Sequence, residues 1–175
     1  AQDPENLIHF SPDPSYIYMD GTNQVTVNVM IRDAIDVSAF DVQVNFDPTK
    51  VTRLSYELGD FLKNTSCIDR FVGPNYFRLI CGQLATDGQN GTGTLFRIVF
   101  QGVTEGVTPL EFTETHLSNR YGQALPVSST NGTLNVVNTG NLLYLPLILN
   151  IAQQGQSDRG GITLYLGRGL HYGLA

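Results

Sequence analysis

Hydrophobic residues recur at every second position along two early stretches of the chain. In "QVTVNVMIRD", Gln24 to Asp33, the residues Val25, Val27, Val29 and Ile31 share one face, and Thr26, Asn28, Met30 and Arg32 share the other. In "AFDVQVNFDP", Ala39 to Pro48, Phe40, Val42, Val44 and Phe46 alternate with Asp41, Gln43, Asn45 and Asp47. Period two is the repeat of a strand with one wet face and one dry face, and it is incompatible with an amphipathic helix. "YFRLICGQL", "GTLFRIVFQG", "TPLEFTE" and "GTLNVV" read as further strands. Between them stand turn signals: "DGTN", "FDPTK", "VGPN", "TDGQNGTG", "TEGVTP" and "STNGT". Short strands punctuated this regularly predict an all-β, antiparallel β-sandwich, with no helix longer than a turn or two.

Composition narrows the function classes. Only 15% of the 175 residues are charged and 18 are glycine. The usual charged share is about 25%. That is the make-up of a turn-rich, secreted β-protein, and secretion to the cell surface is the expectation. The formal net charge is -6 and no basic stripe is present, which argues against a nucleic-acid partner. No run approaches the ~20 apolar residues of a transmembrane helix. The start, "AQDPENL", lacks the basic and apolar regions of a leader, and a leader already removed is the expectation.

Cys67 and Cys81 permit a disulfide, between neighbouring strands or across one loop; two buried free thiols are the alternative. Closing that loop is worth about 3 kcal/mol.

The order of the pieces resembles a cohesin domain and, more loosely, the related carbohydrate-binding β-sandwich. A strand ends in Phe46-Asp47-Pro48, the pair Gly59-Asp60 follows, and "GTGTLFRIVF" runs from Gly91 to Phe100 before a closing "GTLNV". The resemblance covers residues 7 to 137. It implies a jelly-roll sandwich with an extracellular binding or scaffolding role, no catalysis, and a partner bound through one sheet face, such as a dockerin-like module. Asp47-Pro48 has its own physical sense: proline lacks the donor that would continue a ladder and aspartate favours a turn. Gly91 and Gly93 are expected to form a tight loop into a buried strand.

Catalytic signals are absent. His9, His116 and His171 are far apart in the sequence and fall in no metal-binding or nucleophile motif. Carboxylates such as Glu57, Asp60, Glu111 and Glu114 read as solvated strand and turn positions. Asp87 and Asn90, in "DGQNG", are weak calcium candidates, with Asp33 or Asp36 as distant ligands; calcium needs six to eight oxygens, and no other cofactor is expected. Sequons at Asn64, Asn90 and Asn131 are weak glycosylation candidates. Tyr56, Tyr76 and Tyr121 are candidates for a sugar-binding platform, with core or rim packing as the alternative.

The tail, 138–175, is read as a C-terminal extension to a 1–137 sandwich. "NLLYLPLILN", 141–150, places Leu143, Leu145, Leu147 and Leu149 on one face, as an edge strand or packed junction. Residues 151–161 form a polar spacer that reaches roughly 36–40 Å when extended. Residues 162–170 then alternate again, with Ile162, Leu164 and Leu166 together. An apolar strand on a tether becomes stable when a sheet edge accepts it. The leading expectation is therefore a non-enzymatic structural subunit that binds itself head to tail, by strand donation, into an extracellular filament or surface layer. The alternatives are a tail that folds back on its own domain in cis or is a remnant of a sorting signal, and, for the whole chain, a binding module that recognises a dockerin or a polysaccharide.

Overall fold

The computed structural model describes residues 6–84 and 87–138, without the side chains of 70–72, and the backbone of 163–166 and 170–173. The chain divides into two compact units, Ala1–Thr139 and Gly140–Ala175. No helix occurs among the described residues, and none is long and apolar enough to cross a membrane.

The first unit is a β-sandwich. Its strands are β1 (Leu7–Ser11), β2 (Ser15–Tyr18), β3 (Gln24–Val37), β4 (Ala39–Asn45), β5 (Val51–Leu58), β6 (Thr65–Val72), β7 (Tyr76–Gln83), β8 (Gln89–Gly102), β9 (Gly106–Ser118), β10 (Ala124–Leu125), β11 (Ser128–Thr130) and β12 (Gly132–Val137). One sheet has the order β11-β1-β3-β8-β5 and the other β2-β12-β9-β4-β7-β6, with β10 beside β9. The alternating residues become the core: Val27, Val29, Ile31, Val42 and Val44 have no exposed surface. Phe96 links the sheets, with ring centroids 5.8 Å from Phe40 and 5.9 Å from Phe77.

Most strand pairs are antiparallel, but the ends of the domain are not. The N-terminal segment crosses between the sheets at Pro12 and Pro14, and the C-terminal segment crosses with it near Asn131. β1 runs parallel to β11, and β2 runs parallel to β12. Asn6 anchors this arrangement. It is buried, its Nδ2 donates to Pro126 O at 2.9 Å, and its Oδ1 accepts from Ile35 N at 2.9 Å. Asp13 Oδ1 accepts from Thr133 N at 2.8 Å at the crossing itself.

Three features depart from the sequence reading. Gly91 and Gly93 lie inside β8 and not in a loop before it. Gly93 leaves room for Phe61, since a Cβ there would come within 2.9 Å of the ring. Residues 65–72, not among the strands read from the sequence, form β6. Its alternation is hidden by a register shift between Ile68 and Phe71. The segment 162–170 is not one strand: β13 (Thr163–Leu166) pairs antiparallel with β14 (Leu170–Gly173). Leu164 and Leu166 thus belong to a strand that already has a partner. Ile162 and the junction residues Leu143, Leu145, Leu147 and Leu149 lie outside the described residues, as do 151–161.

Cys67 and Cys81 are opposite one another in the β6–β7 ladder and are joined by a disulfide. Cys81 is buried, so the bond fastens edge strand β6 from inside the sandwich. On the same side, Tyr56 of β5 donates its hydroxyl to Asp69 Oδ2 of β6 at 3.0 Å, joining the two sheets at their edges. Partial burial, then that carboxylate, hold the Tyr56 phenol above its ordinary value.

Replacing both cysteines by serine should cost about 3 kcal/mol, read as a shift of the denaturant midpoint at unchanged slope. Acid offers a second test. Asp47 Oδ1 accepts from the hydroxyl and the N–H of Thr49 at 2.7 and 2.8 Å, which holds its carboxyl below the ordinary value. A depressed folded value means stability present above the unfolded value and lost as pH falls through the folded one. The stability of Thr49→Val, measured by urea unfolding, should therefore fall less steeply than that of the parent between about pH 4 and pH 2.

Candidate functional site

The outer face of β9-β4-β7-β6 carries the densest array of ordered polar groups, and the strand register lays it out in rows. Ser118, Ala39, Gly82 and Ser66 form a row of small residues. The next row is His116, Asp41, Ile80 and Ile68, and the one after it is Glu114, Gln43 and Arg78. Alternation sends these side chains outward while Phe40, Val42, Val44, Phe77, Leu79 and Cys81 enter the core.

Arg78 reaches diagonally from its row to Asp41. Its Nε donates to Oδ1 at 2.7 Å and its Nη2 to Oδ2 at 2.6 Å. Both side chains are about three-quarters covered. Such a two-pronged pair fixes direction as well as charge, and the hydrogen bonds it donates to Asp41 raise the Arg78 guanidinium above its ordinary value. Gln43 Nε2 donates to Asn45 Oδ1 at 2.9 Å and to Thr113 Oγ1 at 3.0 Å. His116 Nε2 lies 2.9 Å from Glu114 Oε2. The apolar component is Ile80, half-buried, beside Ile68, which is 50% exposed. An open depression of about 260 Å³ lies against this array, lined by Ala39, Asp41, Ile80, His116, Gly122 and Ala124 among others.

Chemically, the face offers a flat floor of small side chains, a pair of isoleucines and fixed charges of both signs. It can receive a folded partner's surface. His9 lies in β1 of the other sheet, and His116 pairs with Glu114 of its own strand. Glu57 lies in β5 and Glu111 and Glu114 in β9, in different sheets.

The calcium candidates are engaged elsewhere. Asp87 Oδ1 accepts from Arg120 Nη1 at 3.0 Å, and Asn90 Oδ1 accepts from Asp36 N at 2.9 Å. Among the described residues no three His, Cys, Asp or Glu side chains cluster as metal ligands would. Of the sequon asparagines, Asn64 sits in a left-handed turn before β6, Asn90 lies in β8, and Asn131, between β11 and β12, accepts from Phe112 N at 2.9 Å. All three are exposed. The three tyrosines proposed for a sugar platform are dispersed. Tyr56 packs on Phe77 with centroids 5.0 Å apart, Tyr121 lies under the Arg120 guanidinium, and Tyr76 opposes Asn45 in the ladder.

This architecture is that of a cohesin-like β-sandwich. A non-cellulosomal cohesin from the archaeon Archaeoglobus fulgidus superposes with a TM-score of 0.65 at 18% identity, over 80% of this chain and 96% of that one. A cohesin of scaffoldin B from Acetivibrio cellulolyticus, solved in complex with a dockerin, gives 0.63 at 14% identity, over 76% and 99%. A Clostridium thermocellum cohesin, also solved with its dockerin, gives 0.60 at 14%, over 76% and 98%. No family model matches the sequence, and no curated protein does either.

The Asp41–Arg78 pair holds two adjacent strands of this face in register. A double-mutant cycle with Asp41→Asn and Arg78→Gln should show a coupling of about 1 kcal/mol in folding stability, measured by urea unfolding.

Proposed function

We propose that this domain is a non-catalytic protein-recognition module that binds a dockerin-like partner through the outer face of β9-β4-β7-β6. The observation that carries the reading is the face itself: exposed Ile68 and half-buried Ile80 beside a rigid Asp41–Arg78 fork, on a sandwich whose solved likenesses include cohesins bound to dockerins. A partner that covers Ile68 and Ile80 gains apolar burial, and the pre-formed fork selects its orientation without ordering cost. Such a module works outside the cell, where the Cys67–Cys81 bond persists.

Recognition takes precedence over strand donation as the functional reading. The fold likeness and the polar array both belong to the sandwich, whereas β13, the strand holding Leu164 and Leu166, is already paired with β14.

The test is calorimetric titration of the full chain against a panel of purified dockerin modules, alongside sedimentation of the chain alone. At least one dockerin should bind. Arg78→Ala and Ile80→Asp should each weaken it at least about tenfold, or 1.4 kcal/mol, whereas Thr26→Lys on the opposite sheet should leave it unchanged. Failure to bind any dockerin, with concentration-dependent growth of the chain into large species, would return strand donation to first place.

A further inference from the structure

The other end of the same sheet carries a feature that this recognition face does not use. β2 is an edge strand in which Ser15 and Ile17 are buried, so Tyr16 and Tyr18 both project outward. They are 46% and 49% exposed. Their ring centroids lie 6.5 Å apart and their planes within 15° of parallel. Two steps along a strand give this repeat, so the edge presents two like aromatic surfaces, similarly oriented, one strand period apart. Neither hydroxyl has a hydrogen-bond partner among the described residues.

The surroundings extend the strip. The register places Tyr16 beside Asn135 and Asn135 beside Val107, which is 59% exposed. Asn135 Nδ2 donates to Ser15 O at 3.3 Å, which leaves its Oδ1 to accept from a ligand. Thr133 and Val137 of β12 and Pro109 of β9 continue the outward face, and carboxylates flank it at Asp13, whose Oδ1 accepts from Thr133 N at 2.8 Å, and at exposed Glu111, the next outward position of β9.

We propose that the Tyr16–Tyr18 strip is a second binding site, and that its ligand is a neutral polysaccharide. A repeated aromatic surface suits a polymer of ring-shaped units. Polyanionic polymers of that kind are disfavoured by a chain of net charge -6, because binding them depends on neutralising phosphates with Lys and Arg. A neutral sugar chain fits what remains. The apolar C–H face of each pyranose packs on a tyrosine ring, and its hydroxyl rim exchanges hydrogen bonds with Asn135 and the tyrosine hydroxyls. Tyrosine suits the task because its large surface is ordered by only two side-chain torsions. The site is independent of the recognition face: the two share only β9 in the order β2-β12-β9-β4-β7-β6.

The experiment is affinity electrophoresis of the full chain in gels containing xyloglucan, mixed-linkage β-glucan, galactomannan or hydroxyethyl cellulose, followed by titration calorimetry with the best polymer. At least one should retard the parent chain. Tyr16→Ala and Tyr18→Ala should each weaken binding about tenfold and the double variant should abolish it, with thermal unfolding confirming that each variant folds. Tyr16→Phe should retain most of the affinity, since the ring supplies the stacking surface. Arg78→Ala should bind polysaccharide as the parent does, which separates this site from the recognition face. Lack of retardation by every polymer, or undiminished binding by the double variant, overturns the proposal. So does a double variant that loses dockerin or proline-rich peptide binding instead, which makes the strip a protein contact.

Discussion

The sandwich depends on two chain ends, more than a hundred residues apart, pairing in parallel while both change sheets. Asn6 lies at the start of the N-terminal segment and Thr133 in the C-terminal one. Parallel pairing between distant segments incurs a loop-closure cost before any contact rewards it. The buried side chain of Asn6 offsets part of that cost, since its amide is satisfied at both ends by Pro126 and Ile35. Losing it would leave Ile35 N without its acceptor. It would also remove the side-chain tie from Asn6, just before β1, to Pro126, just before β11.

Order in the interior is passed to the outer face through strand alternation. The disulfide lies on the inside of β6 and β7, and the Asp41–Arg78 fork lies on the outside of β4 and β7. Three neighbouring strands are thus fastened from opposite sides. The outer face is stiff for that reason, and a stiff face would bind a partner without a cost for its own ordering. Gly59 shows how closely the chain is drawn in nearby: a Cβ there would sit 1.9 Å from the Thr94 carbonyl oxygen. The Gly-Asp pair visible in the sequence is therefore a close-approach requirement of β8.

Much of the fold was legible because the first half of β3 and all of β4 alternate buried and outward residues at period two. Val27 to Ile31 and Phe40 to Val44 read as core and are core. Where bulges break the period, reading failed, as in β6. Short edge strands failed too: β2 offers four residues between prolines and a turn, too few to show a pattern, so Tyr16 and Tyr18 went unnoticed while isolated tyrosines elsewhere drew attention. The polar array on the outer face was illegible for another reason. Its rows are set by register between strands distant in sequence, and Asp41 meets Arg78 only across a ladder that alternation alone does not specify. In the tail, apolar alternation marks a strand without naming its partner; β13 pairs with β14.

Parallel pairing of the terminal segments also sets how the domain would sit in a longer chain. Leu7 lies beside Ser128, and Tyr18 beside Val137. The polypeptide enters the sandwich at one end and leaves it at the other, separated by roughly 30 Å at the strand rise. Tension applied through both ends would slide β1 along β11 and β2 along β12, loading their hydrogen bonds together instead of peeling them one at a time. The same closure that completes the core is thus a shear joint, placed where a domain strung between other modules would bear load.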